Sequence, residues 1–95
     1  MDKGTQIITK EDKKVQEAID KLFDKDLILY NDDVNSFDHV VECLQMFCNH
    51  TAIQAEQCAH IVHHNGKTGI KRGRIEVLIP IMEALQENKL SCKIE

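Results

Sequence analysis

Apolar residues along the chain switch between two periods. Leu27-Ile28-Leu29-Tyr30 is a short β-prone run that ends at Asn31-Asp32-Asp33, residues that favour turns. Asn35 then reads as a helix N-cap, with Asp38 three residues on as in a capping box. Val40, Val41, Leu44, Phe47 and Cys48 follow at i, i+1, i+4, i+7 and i+8, one apolar face of a helix. Thr51 opens a second helix. Ala52, Ala55, Ala59 and Val62 form its narrow, small-residue face, and Asn65-Gly66 closes it. A short strand is expected over residues 67–71. A third helix is expected over residues 74–88, with Ile75, Leu78, Met82 and Leu85 inward. Pro80 conflicts with that helix, because proline removes a hydrogen bond and clashes with the preceding turn. The pattern predicts a kink there, or a regular part that begins near Ile79. Residues 90–94 alternate as a final strand. The order β-α-α-β-α-β predicts an α+β fold, a small three-stranded antiparallel sheet with three helices packed on one face.

Upstream, residues 1–25 are dense in Lys, Asp and Glu, which predicts a solvated, mobile segment. Val15, Ile19, Leu22 and Phe23 nevertheless fall at helical spacing and admit an amphipathic helix over about residues 12–24. The expected division is an N-terminal extension over residues 1–26 and a folded core over 27–95.

Composition narrows the function. The chain has 95 residues, 42% of them hydrophobic, which suits one small domain with room for a shallow pocket. Net charge is −4 and aromatics are 4% with no Trp, which argues against phosphate binding and base stacking, so no nucleic acid is expected. The opening Met1-Asp2-Lys3-Gly4 has no apolar leader pattern, and no run approaches membrane-spanning length. Cys43, Cys48, Cys58 and Cys92 are expected to be free buried thiols, since no Cys-x-x-Cys spacing marks a zinc ribbon.

The residues alone leave the candidate chemistry open. Asn31, Asp32 and Asp33 are a turn leaving a strand, or a cluster of hydrogen-bond acceptors beside the apolar Leu29. His63, at the edge of the second helix's apolar face, is a packed surface residue or a ligand-holding one. His60 and His64 are spaced for a zinc pair, but no third ligand stands at useful spacing, so no metal is expected. Nothing marks one thiol as activated, which argues against Cys–His catalysis.

Taken together, Leu29-Tyr30-Asn31-Asp32-Asp33, then Phe37, Val40 and Val41, then Val62-His63 with Asn65-Gly66-Lys67, resemble the ClpS family. These are adaptors of the bacterial N-end rule pathway, and the resemblance covers about residues 27–95. It implies a non-enzymatic, monomeric, cytoplasmic bacterial adaptor without a cofactor. Such an adaptor binds proteins with a bulky apolar N-terminal residue (Leu, Phe, Tyr, Trp). It passes them to an Hsp100 unfoldase of the ClpA or ClpC type for degradation by ClpP. By position, Asn31, Asp32, Asp33 and His63 would hold the substrate α-amino group. Leu29, Asn35, Phe37, Val40, Ala59, Val62 and Leu90 would line the side-chain pocket.

The chain departs from the family pattern in places. Ala59 and Phe37 stand where methionine is usual; a smaller wall at Ala59 implies room for Ile or Val or weaker binding of larger side chains, and Phe37 is a candidate to fill that space. Asn35-Ser36 replaces Thr-Pro. The region of helix three is shorter, so no unfoldase contact carries over. A rival reading, a ribosomal-stalk-like interaction domain of similar fold, would not need Asn31, Asp33 and His63 together. A metal-dependent hydrolase would need bound zinc.

Overall fold

The computed structural model describes residues 7–95. The expectations for the first six residues, mobility and the lack of a leader, lie outside the described residues. The elements are α1 (Lys10–Phe23), β1 (Lys25–Tyr30), α2 (Phe37–Cys48), α3 (Ala52–Asn65), β2 (Lys67–Gly73), α4 (Ile75–Glu87) and β3 (Ser91–Ile94). From β1 onward this is the β-α-α-β-α-β order of an α+β fold, and α1 is a fourth helix ahead of it.

β1 is the central strand of an antiparallel sheet ordered β2-β1-β3. Strand side chains alternate between faces, and Leu27 and Leu29 are the two of β1 that turn into the core. They meet Leu44 of α2 and Leu78 and Leu85 of α4, all fully enclosed. Burying each such side chain contributes roughly 1.5–3 kcal/mol. The β1–β2 register slips between Leu27 and Ile28, which pair with Lys71 and Gly69 and leave Ile70 as an extra residue. Ile70 is buried, and its carbonyl accepts a 2.7 Å hydrogen bond from His50 Nε2.

α3 begins with a reciprocal capping box: Thr51 Oγ1 accepts from Gln54 N, and Gln54 Oε1 accepts from Thr51 N. Ala55, Ala59 and Val62 are its buried stripe, whereas Ala52 is exposed. Gly66 closes it at φ 86°, a left-handed conformation that glycine adopts without a Cβ penalty.

Three local expectations are corrected. The cap of α2 is Ser36, whose hydroxyl accepts from His39 N at 3.1 Å, not Asn35 with Asp38. Asn35 is drawn away because its amide donates to Asp32 and to the Lys89 carbonyl. The helix expected over residues 74–88 runs from Ile75 to Glu87 with Pro80 inside it, so of the two alternatives at Pro80 a regular part beginning near Ile79 is set aside. Of its four expected inward residues, Leu78 and Leu85 are buried and Met82 is half-buried, but Ile75 is exposed.

α1 carries a capping box between Thr9 and Asp12 and buries none of its residues. At its C-terminal end the Arg74 guanidinium approaches Asp20 at 3.5 Å and Asp24 at 3.7 Å and lies 5.2 Å from the centre of the Phe23 ring. Such exposed ion pairs contribute little, about 0–1 kcal/mol.

Candidate functional site

One backbone hydrogen bond joins the exit of β1 to the end of α3, and the cap bond of α3 fixes its acceptor residue. Asn31 N donates to the Gly66 carbonyl at 2.9 Å, and Gly66 N donates to the Val62 carbonyl at 2.9 Å. Asn31 and His63, remote in sequence, therefore line one cleft.

The loop after Asn31 is organised by Asp32. Its Oδ1 accepts from the backbone N–H groups of Val34 and Asn35, both at 3.0 Å, an Asx-type turn. The Asn35 amide donates to both carboxylate oxygens, at 3.1 and 2.9 Å, and to the Lys89 carbonyl at 2.8 Å. Ser91 Oγ donates to Oδ2 at 3.2 Å. Partial burial pushes the Asp32 carboxyl upward, but the hydrogen bonds from Asn35, Val34 and Ser91 outweigh it and hold the group below its ordinary 3.8. Asp32 and Asn35 thus tie the loop to the turn before β3. Among the described residues, the side chains of Asn31, Asp33 and His63 have no hydrogen-bond partner, and all three residues are exposed.

The cleft has a volume of about 590 Å³. Asn31, Asp32, Asp33, Asn35 and His63 form its polar side; Phe37, Val40, Ala59 and Val62 form its apolar side. Leu29 and Leu90 do not line it. They border an adjoining cavity of about 20 Å³, which shares Asn31, Asp32, Asn35, Val40 and Val62 with the cleft.

His60 and His64 also line the cleft, a role the sequence reading did not give them. The i, i+3 spacing of His60 and His63 and the i, i+4 spacing of His60 and His64 were the available signals. The His60 ring lies 4.8 Å from the Phe37 ring, and the His63 and His64 rings are 5.3 Å apart. No set of three metal-ligating side chains converges among the described residues.

The arrangement sets three partnerless polar side chains, one a carboxylate, beside an apolar wall. That suits a small cation with several donors and an attached apolar group. The thiols stand apart from it. Burial pushes Cys43, Cys58 and Cys92 up and Cys48 up to about 12, so none is a ready nucleophile.

Fold and cleft define an α+β binding domain with its site between a strand exit and two helices. The sequence profile described as ATP-dependent Clp protease adaptor protein ClpS matches residues 22–93, and the chain belongs to that family. Among solved structures it is similar to Agrobacterium tumefaciens ClpS2 bound to L-phenylalaninamide. The TM-score is 0.71 at 16% identity, over 77% of this chain and 95% of that one. At this identity the likeness is one of fold. Comparison with curated protein sequences finds no match. No helix among the described residues is long and apolar enough to cross a membrane.

Proposed function

We propose that this Clp protease adaptor captures proteins by a free α-amino group and a bulky apolar N-terminal side chain (Leu, Phe, Tyr, Trp, with Ile or Val admitted by Ala59). It then delivers them to an Hsp100 unfoldase of the ClpA or ClpC type working with ClpP. The observation that carries this reading is the partnerless set of Asn31, Asp33 and His63 on the polar side of the cleft. An α-ammonium offers three donors and one positive charge. An amide oxygen, a carboxylate and a neutral imidazole are three matching acceptors with one negative charge.

Asp32 acts by holding the loop rather than by touching the amine. Phe37, Val40, Ala59 and Val62 receive the side chain. Each hydrogen bond to the charged amine contributes roughly 1.5–3 kcal/mol. Burying a Leu or Phe side chain adds about 1.5–3 kcal/mol. After the cost of association, micromolar affinity, about −8 kcal/mol, is the expected range. The protein acts as a cytoplasmic monomer, with residues 1–26 as the extension used in delivery.

The test is fluorescence anisotropy with short peptides. Peptides that begin with Leu or Phe should bind, and their N-acetylated forms should not. Equal binding of both forms would overturn the proposal.

A further inference from the structure

The turn between α4 and β3 closes as a Schellman motif. Leu90 N donates to the Leu85 carbonyl and Lys89 N to the Gln86 carbonyl, both at 3.0 Å. Leu85 and Leu90, the apolar pair that flanks such a motif, are both in the buried core. Lys89 takes the left-handed position at φ 73°, where glycine is usual because a Cβ crowds the following carbonyl. A side chain persists there when its surroundings fix the backbone from several sides. Here α4 fixes the Lys89 N–H, and the Asn35 amide fixes its carbonyl at 2.8 Å.

The same turn is bonded to the loop after β1 through its neighbours. The Asn88 carbonyl accepts from His39 Nε2 at 2.9 Å, and Ser91 Oγ donates to Asp32 Oδ2 at 3.2 Å. Ser91 is exposed, and its main chain already pairs with Tyr30 of β1, so its hydroxyl adds little to the fold. What the hydroxyl holds is the side chain that stands between Asn31 and Asp33. Along residues 31–33 the pattern is exposed, half-buried, exposed. A rotation of Asp32 would carry the backbone of both neighbours with it, so holding it inward keeps the outer two turned to the cleft.

We infer, on the reading that Asn31, Asp33 and His63 clamp an α-amine, that Ser91 is a positioning residue for that clamp and that the α4–β3 turn is its seat. Ser91 does not line the cleft and touches no substrate; it acts through Asp32. The apolar wall of Phe37, Val40, Ala59 and Val62 stands on α2 and α3 and does not depend on it. The contribution of Ser91 is therefore to the amine alone, and equal for every N-terminal side chain.

The experiment uses the full chain, its Ser91→Ala and Ser91→Thr forms, and Lys93→Ala, a change on the same face of β3 that leaves Asp32 untouched. Melting curves first confirm that all fold. Affinities are read by anisotropy with two peptides labelled at the C-terminus and identical after the first residue, Phe or Leu. Ser91→Ala should weaken both by the same roughly 2- to 5-fold, the range of one net hydrogen bond. Ser91→Thr keeps the hydroxyl and should restore parent affinity, and Lys93→Ala should match the parent. Unchanged binding by Ser91→Ala, a loss that Ser91→Thr does not restore or Lys93→Ala reproduces, or a loss confined to one peptide would overturn the positioning role and leave the clamp standing. Binding of N-acetylated Phe peptide by the parent as tight as the free form would instead overturn the clamp.

Discussion

Replacing Asp32 by alanine should unseat the loop that presents Asn31 and Asp33. The carboxylate accepts from four donors: the N–H groups of Val34 and Asn35, the Asn35 amide and the Ser91 hydroxyl. Hydrogen bonds to charged groups contribute roughly 1.5–3 kcal/mol where water is excluded, but Asp32 is only half-buried and water competes. A discounted value of about 0.5 kcal/mol per donor gives a loss of about 2 kcal/mol. In a domain of this size that lowers the melting temperature by roughly 8–16 °C. Asp32→Asn keeps an oxygen for the two backbone donors and offers an N–H₂ that the Ser91 hydroxyl can turn to accept, but sets it against the Asn35 amide, so about a quarter to a half of the loss is expected.

Acid provides an independent check with a definite sign. The folded state holds the Asp32 carboxyl below 3.8, so between the two values the unfolded chain takes up the proton more readily. The contribution is therefore complete above about pH 4 and fades as pH falls through the folded value. Melts of the parent and Asp32→Asn should differ at neutral pH and converge below about pH 4. A gap that stays constant down to about pH 2.5, or an Asp32→Ala protein that melts within about 2 °C of the parent, would refute the reasoning.

Three further outcomes are expected. His63→Ala removes one acceptor for the charged amine and should weaken binding of a Phe-initiated peptide by at least about 10-fold; an unchanged anisotropy titration would take His63 out of the site. Pro80→Ala restores a backbone donor for the Glu76 carbonyl at an exposed position inside α4, and should stabilise the domain by roughly 1–3 kcal/mol in urea titrations. Under thiol labelling followed by mass spectrometry, half-buried Cys58 should react first. Cys48, buried and pushed up to about 12, should react last and only as the domain unfolds.

Much of the fold was legible because its elements bury one face each. The alternation around Leu27 and Leu29, the stripe of Ala55, Ala59 and Val62, and the Thr51 and Gly66 boundaries of α3 are local signals, and the structure uses them as written. The cap of α2 was legible only to within a residue. Asn35 and Ser36 are both competent caps, and what separates them is the Lys89 carbonyl, 54 positions away, which recruits the Asn35 amide.

The same limit divides Asn31-Asp32-Asp33. As a string these are three equivalent acceptors. Ser91 and Asn35 turn the middle one inward and leave its neighbours partnerless among the described residues. The sequence alone groups Asp32 with its neighbours as an amine ligand, and only the folded chain shows its carboxylate accepting from Val34, Asn35 and Ser91. His60 and His64 show the point from the other side. Their i, i+4 spacing states correctly that they share a helix face, and on that ground alone they read as a zinc pair. Which chemistry a face performs depends on what stands opposite, and opposite His60 stands the ring of Phe37. Spacing within an element can therefore nominate residues for a site, but only contacts between elements sort the nominees into those that touch a ligand, those that shape its pocket and those that hold the loop in place.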